Sequence, residues 1–230
     1  MKIAVNKAHF PVTVLGPGRR IGIWLQGCSV GCKGCVSQDT WASDDARLMA
    51  LPTLLNWCRQ VSGGQFDGVT ISGGEPFDQP QALAALLAGL HAWRSQAGLA
   101  FDILCYSGYP LAKLQRLHAR LLQKLDALIP EPFIEAQSAT RHWRGSDNQP
   151  LVLLSERGRV VYARWADTLN QSADADNLNP DPVPVAKRMQ LMQDGEQIWY
   201  VGIPARGDMA ALESACATKG IAFSQVSWRP

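Results

Sequence analysis

IGIWLQGCSVGCKGC, residues 21 to 35, joins an apolar run to three cysteines spaced four and then three apart. Ile21 to Gln26 reads as a buried strand, which runs straight into a loop holding Cys28, Cys32 and Cys35. Gly27, Gly31 and Gly34 are interleaved with those cysteines. Glycine tolerates backbone conformations closed to other residues, so such a loop can curl until three thiolates point at one centre.

Working outward, FDGVTIS (66 to 72) reads as a second strand, ending at Gly73-Gly74. Between the two, ARLMALPTLLNWCRQV (46 to 61) has helical spacing, with Pro52 starting or kinking the helix. The pattern then repeats. Residues 79 to 95 predict a helix, 101 to 107 a strand, 111 to 125 a helix and 126 to 130 a short strand. This βα repeat predicts an α/β fold with a parallel sheet covered by helices, in which ligands collect at the carboxyl ends of the strands.

Past residue 150 the character changes. LVLLSERGRVVYARW predicts a strand pair turning at Arg157-Gly158, and residues 171 to 185, rich in Asp, Asn and Pro, read as a linker. Beyond it, two strands joined at Asp194-Gly195, a helix entered near Asp208 and stopped at Gly220, and a last strand IAFSQVSW (221 to 228) are expected. The expected organisation is a core at 1–150, a closing strand pair at 151–170, the linker at 171–185 and a small α+β extension at 186–230. Arg206-Gly207-Asp208 reads as a loop leading into a helix cap.

With 47% hydrophobic and 18% charged residues in 230, the chain has the composition of a globular protein with one sizeable core. Lys and Arg exceed Asp and Glu by only 22 to 20, which argues against nucleic acid or an anionic membrane as partner. No apolar run is long enough to span a membrane and the N-terminus lacks a secretory pattern, so a cytoplasmic location is expected. In that reducing compartment, clustered cysteines point to metal or catalysis before disulfides.

A structural zinc site takes four protein ligands, whereas only Cys32 and Cys35 form a close pair and the four histidines lie on unrelated elements. A thioredoxin-like pair leaves Cys28 without a role. Three thiolates around a cubane cluster would occupy three irons and leave the fourth open for a substrate or cosubstrate.

The motif Cys28-x3-Cys32-x2-Cys35 resembles the signature of the radical S-adenosylmethionine superfamily. GPGRRIGIWLQGC (16 to 28), with Arg20 eight residues before Cys28, and QDTW (38 to 41) resemble the activating enzymes of glycyl-radical proteins; SGGEP (72 to 76) is similar to the cosubstrate motif. YSGY (106 to 109), DALIPEPF (126 to 133) and WRGSDNQ (143 to 149) are similar to segments of the anaerobic ribonucleotide reductase activators.

The resemblance implies a partial (βα)6-type TIM barrel and one [4Fe–4S] cluster on Cys28, Cys32 and Cys35, the residues on which catalysis depends. It further implies that S-adenosylmethionine chelates the fourth iron and is cleaved by one electron to methionine and a 5′-deoxyadenosyl radical. Gly73, Gly74, Glu75 and Pro76 are the expected cosubstrate residues, joined by Gly34 and by Ser107 at a third strand end. The implied partners are a protein substrate, such as a glycyl-radical enzyme, and a flavodoxin- or ferredoxin-type electron donor.

Plainer readings stand beside these. A glycine pair after a strand is often only a turn. Cys58, Cys105 and Cys216 read as buried apolar residues, and Trp41 and Trp143 as packing residues. The chain departs from the activators at Val36, where they usually carry Tyr, at Ile129-Pro130-Glu131-Pro132, where they usually carry an Asp-Gly pair, and in the 81 residues after Gln149. Three functions stay open: a glycyl-radical activase, a radical enzyme with another protein, peptide or small-molecule target, and a non-catalytic iron–sulfur protein.

Overall fold

Alternation along three neighbouring strands sets the architecture. The computed structural model describes residues 1–137, 141–165, 189–195 and 197–229. In β2 (Arg20–Leu25), β4 (Gly68–Gly73) and β5 (Asp102–Tyr106), the residues Ile21, Ile23, Leu25, Val69, Ile71, Ile103 and Cys105 share one core. Helices α1 (Leu51–Ser62), α2 (Pro80–Gln96) and α3 (Leu111–Leu122) fill it with Leu54, Leu55, Cys58, Leu83, Leu86 and Leu114. The opposite phase of the same strands, Trp24, Leu104 and Tyr106, belongs to or packs on separate clusters. Cys58 and Cys105 are fully buried core residues, as expected, and Cys216 is half-buried.

The seven-stranded sheet has the order β3-β1-β2-β4-β5-β6-β7, with β1 (Lys2–Val12), β3 (Leu48–Ala50), β6 (Ala127–Ile129) and β7 (Val152–Leu153) completing it. Strands β2, β4, β5 and β6 run parallel, while β1, β3 and β7 are antiparallel to their neighbours. The α/β class holds. Of the expected partial (βα)6-type barrel, the described residues show a parallel section of four strands with antiparallel additions on both sides. Pro52 starts α1 and does not kink it.

A buried network fixes the N-terminal ends of the parallel strands. Arg20, which opens β2, donates to both carboxylate oxygens of Asp102 (2.9 and 2.7 Å), to Thr70 Oγ1 (2.6 Å) and to the Val69 carbonyl (3.0 Å). Tyr162 donates to the same carboxylate at 2.5 Å. Gly68 is required beside it, because a Cβ there would lie 2.2 Å from the Arg20 guanidinium. Arg20 therefore braces the end of the sheet opposite the cysteine loop.

Two expected elements take other forms. Residues 151–165 are not a strand pair: after the short β7, Ser155 caps the helix α4 (Glu156–Tyr162) by accepting from the Gly158 amide. Gly158 is no turn; it lets α4 approach the Asp126 carbonyl, which a Cβ would meet at 1.9 Å. The last strand expected at 221–228 is irregular, and the Ser227 carbonyl accepts from the Gln38 amide (2.7 Å) instead of joining a ladder. The hairpin at Asp194-Gly195 is present as β8 (Met189–Asp194) paired antiparallel with β9 (Gln197–Gly202), and the helix α5 (Asp208–Ala217) follows. The linker expected at 171–185 lies outside the described residues.

Candidate functional site

The cysteine loop leaves the C-terminal end of β2 and is tied down at both flanks. Gly27 and Cys28 donate their amides to the Thr40 and Trp41 carbonyls (2.7 and 3.0 Å), and the Gln26 side chain donates to the Asp39 and Ala42 carbonyls. On the other flank, Asp78 accepts from the Ser29 amide (2.8 Å) and hydroxyl (3.0 Å) and from the Tyr109 hydroxyl (2.5 Å). Within the loop, the Cys35 amide donates to the Cys32 carbonyl at 3.1 Å. Gly27, Gly31 and Gly34 all have positive φ, the conformation anticipated from their interleaving.

The SGGEP segment lies against this loop backbone to backbone. Gly74 and Glu75 donate their amides to the Leu25 and Gly27 carbonyls, both at 2.8 Å. A Cβ on Gly74 would sit 2.0 Å from the Gly27 oxygen, and one on Gly73 would sit 2.3 Å from the Leu25 nitrogen. The glycine pair is thus demanded by close packing of two strand ends. Pro76 is buried and opens the next turn.

Glu75 is buried and fully engaged. Its carboxylate accepts from the Phe77 amide (3.0 Å), the Ser107 hydroxyl (2.8 Å) and the Gly108 amide (2.7 Å). Burial pushes the carboxyl up to about 7, against those hydrogen bonds, which pull it down. Burial likewise raises the Cys32 and Cys35 thiols.

One cavity of about 210 Å³ gathers most of these groups. Cys28, Cys32, Cys35, Gly34, Gly73, Gly74, Glu75 and Ser107 line it; Pro76 does not. Among the described residues, its lining holds no fourth cysteine and no histidine, and no group of His, Cys, Asp or Glu is arranged around a single ion. A four-iron cluster takes each thiolate on a different iron, so it does not need the sulfurs to converge on one point. The donor set fits such a cluster.

Other residues on the cavity were not singled out individually by sequence. Tyr106, Glu131, Phe133, Gly145 and Gln149 reach it from the segments at 106 to 109, 126 to 133 and 143 to 149. Glu131 holds a positive φ of 84°, in the stretch where an Asp-Gly pair is the commoner pattern. It is kept there by its side chain accepting from the Leu111 amide (2.9 Å) and its carbonyl accepting from Gln149 Nε2 (2.8 Å). Trp143 is a packing residue, edge-on to Tyr162 and Trp165, whereas Trp41 lines the cavity. Gly202, which ends β9, and Ile203 and Pro204 just after it also line it, and no local sequence signal announces them.

Comparison of the sequence with known proteins identifies a family. A family model described as a 4Fe-4S single cluster domain matches residues 14–152. The anaerobic ribonucleoside-triphosphate reductase-activating protein of Enterobacteria phage T4 is 29% identical over 138 residues, covering 60% of this chain and 86% of that protein. Its namesake from Vibrio cholerae is 30% identical over 145 residues, covering 61% and 92%, and that from Escherichia coli K12 is 25% identical over 145 residues, covering 61% and 93%. The crystal structure of QueE from Escherichia coli matches 47% of this chain and 53% of its own, with a TM-score of 0.37 and 23% identity. The chain belongs to the 4Fe-4S single cluster domain family, as a radical S-adenosylmethionine enzyme akin to the anaerobic ribonucleoside-triphosphate reductase-activating proteins.

Proposed function

We propose that the chain holds one [4Fe–4S] cluster on Cys28, Cys32 and Cys35, with S-adenosylmethionine beside it, and activates a partner protein by installing a glycyl radical. The observation that carries this reading is the convergence of three thiols and the Gly73-Gly74-Glu75 strand end on one cavity. Its relatives are named for activating the anaerobic ribonucleoside-triphosphate reductase. When bound, the cluster and S-adenosylmethionine supply one-electron chemistry that yields methionine and a 5′-deoxyadenosyl radical.

The chain's residues position and shield. Gly73 and Gly74 leave bare backbone at the cavity edge for the amino acid portion of the cosubstrate, and the turn opened by Pro76 stiffens that edge. Glu75 holds Ser107 and Gly108 in place on the wall, and Gly34 takes a positive φ of 77° just before Cys35, where a Cβ would meet the Glu135 side chain at 3.1 Å. Leu15, Trp24, Val30, Phe133 and Ile203 give an apolar lining that keeps water from a reactive guest. The organisation that accords with this is a core at 1–150 and an added extension, working in the cytoplasm with a flavodoxin- or ferredoxin-type donor.

A second reading, a target other than a glycyl-radical enzyme, draws on Gly202-Ile203-Pro204, which lie on the cavity but outside the family match. The deciding experiment reconstitutes the chain without oxygen and measures 5′-deoxyadenosine formed with a reductant. Its absence would leave a non-catalytic iron–sulfur protein. A glycyl-radical signal by electron paramagnetic resonance on a co-purified partner selects the first reading, and turnover without it selects the second.

A further inference from the structure

The family match ends at residue 152, yet the segment beyond β8 grips the cysteine loop. Tyr200 Oη donates to the Val36 carbonyl at 2.5 Å, and Ser227 Oγ donates to the same oxygen at 3.0 Å. The two hydroxyls lie 3.0 Å apart. Beside them, the Gln38 amide donates to the Ser227 carbonyl (2.7 Å), and Gln38 Nε2 donates to the Trp228 carbonyl (3.1 Å). Trp228 packs edge-on to Tyr200, with ring centroids 5.4 Å apart. On the near side of the clamp, the Ser37 amide donates to Cys35 Sγ at 3.4 Å, so the held carbonyl and the N–H that supports the sulfur are the two ends of one planar peptide group.

We infer that the C-terminal extension positions the cluster loop, with Tyr200 and Ser227 as positioning residues that fix the Val36 carbonyl, one residue beyond Cys35. The inference rests on the reading that Cys35 is a cluster ligand. A carbonyl with two hydroxyl donors tolerates the loss of either one, whereas loss of both leaves a half-buried acceptor without its partners. Redundancy is therefore the signature of the clamp. Two hydroxyls that held the loop independently, without sharing an acceptor, would instead give additive losses.

The test compares the full chain with Tyr200→Phe, Ser227→Ala and the double variant. Deuterium uptake of the 36–42 segment, followed in the iron-free chain, is expected within about twofold of wild type in each single variant and about tenfold faster in the double. In the anaerobically reconstituted chain, bleaching of the cluster's visible absorbance by an iron chelator should follow the same pattern. Equal uptake and equal bleaching in the double variant and wild type would overturn the inference, as would additive effects of the single changes. If wild type takes up no iron, the cluster assignment fails instead, and the uptake pattern still decides whether the two hydroxyls hold the loop.

Discussion

The Ser107 hydroxyl donates to Glu75 Oε1 at 2.8 Å, bonding the third strand end of the site to the second. Both residues, expected beside the cosubstrate, line the cavity and are at the same time bonded to each other. With the Gly108 amide on Oε2, Glu75 ties the end of β5 to the turn after β4. Its protonation state is consequently a property of the scaffold.

Burial raises the Glu75 carboxyl from 4.5 to about 7. Between those values the folded chain keeps a proton that the unfolded chain releases, so this contribution to stability is complete below pH 4.5 and is lost as pH rises through 7. The amount is on the order of 3 kcal/mol. Glu75→Gln removes the dependence while leaving an acceptor for Ser107. Thermal unfolding of the iron-free chain should show wild type losing melting temperature against the variant between about pH 5 and 8; parallel curves would contradict the assignment.

Gly74→Ala should be among the most damaging small changes, because its Cβ would sit 2.0 Å from the Gly27 oxygen and neither backbone has slack. A loss of about 3 kcal/mol or more is expected, with poor iron uptake even in the folded fraction. Chemical denaturation together with iron analysis measures both, and a variant with full stability and full iron would mean that the two strand ends separate easily.

Cys32→Ala should abolish cluster retention, leaving less than about a tenth of the wild-type iron, since two thiolates hold a four-iron cluster poorly. Wild type should carry about four irons and four sulfides per chain. A count near eight, twice that content, would show a second cluster that the sequence does not suggest.

Asp102→Ala should destabilise the fold by about 3–5 kcal/mol, because it strands the Arg20 guanidinium in a site with no exposure. Tyr162→Phe should cost about 1 kcal/mol by removing one donor from the same carboxylate. Urea titration distinguishes them; equal and small effects would mean that water reaches Arg20.

The four parallel strands and their helices were legible because each is a buried apolar run with helical spacing between. The cysteines and SGGEP were legible because their signals are local. The strand β1 escaped notice because most of its residues are only half-buried, which blurs alternation, and Pro11 interrupts it. Gly158 misled for a physical reason: a glycine needed for close packing of α4 on Asp126 looks, in one dimension, like a glycine needed for a turn. Tyr200 and Ile203 were invisible because their roles arise from contacts with a loop more than 150 residues away. Nothing in QIWYVGIP states that reach.

The Arg20–Asp102–Tyr162 network and the three cysteines occupy opposite ends of the same strands. The remote network draws none of its bonds from the cysteine loop. Under the proposed function, a chain stripped of its metal by oxidation is therefore expected to keep that brace and stay open to repair by fresh iron and sulfide.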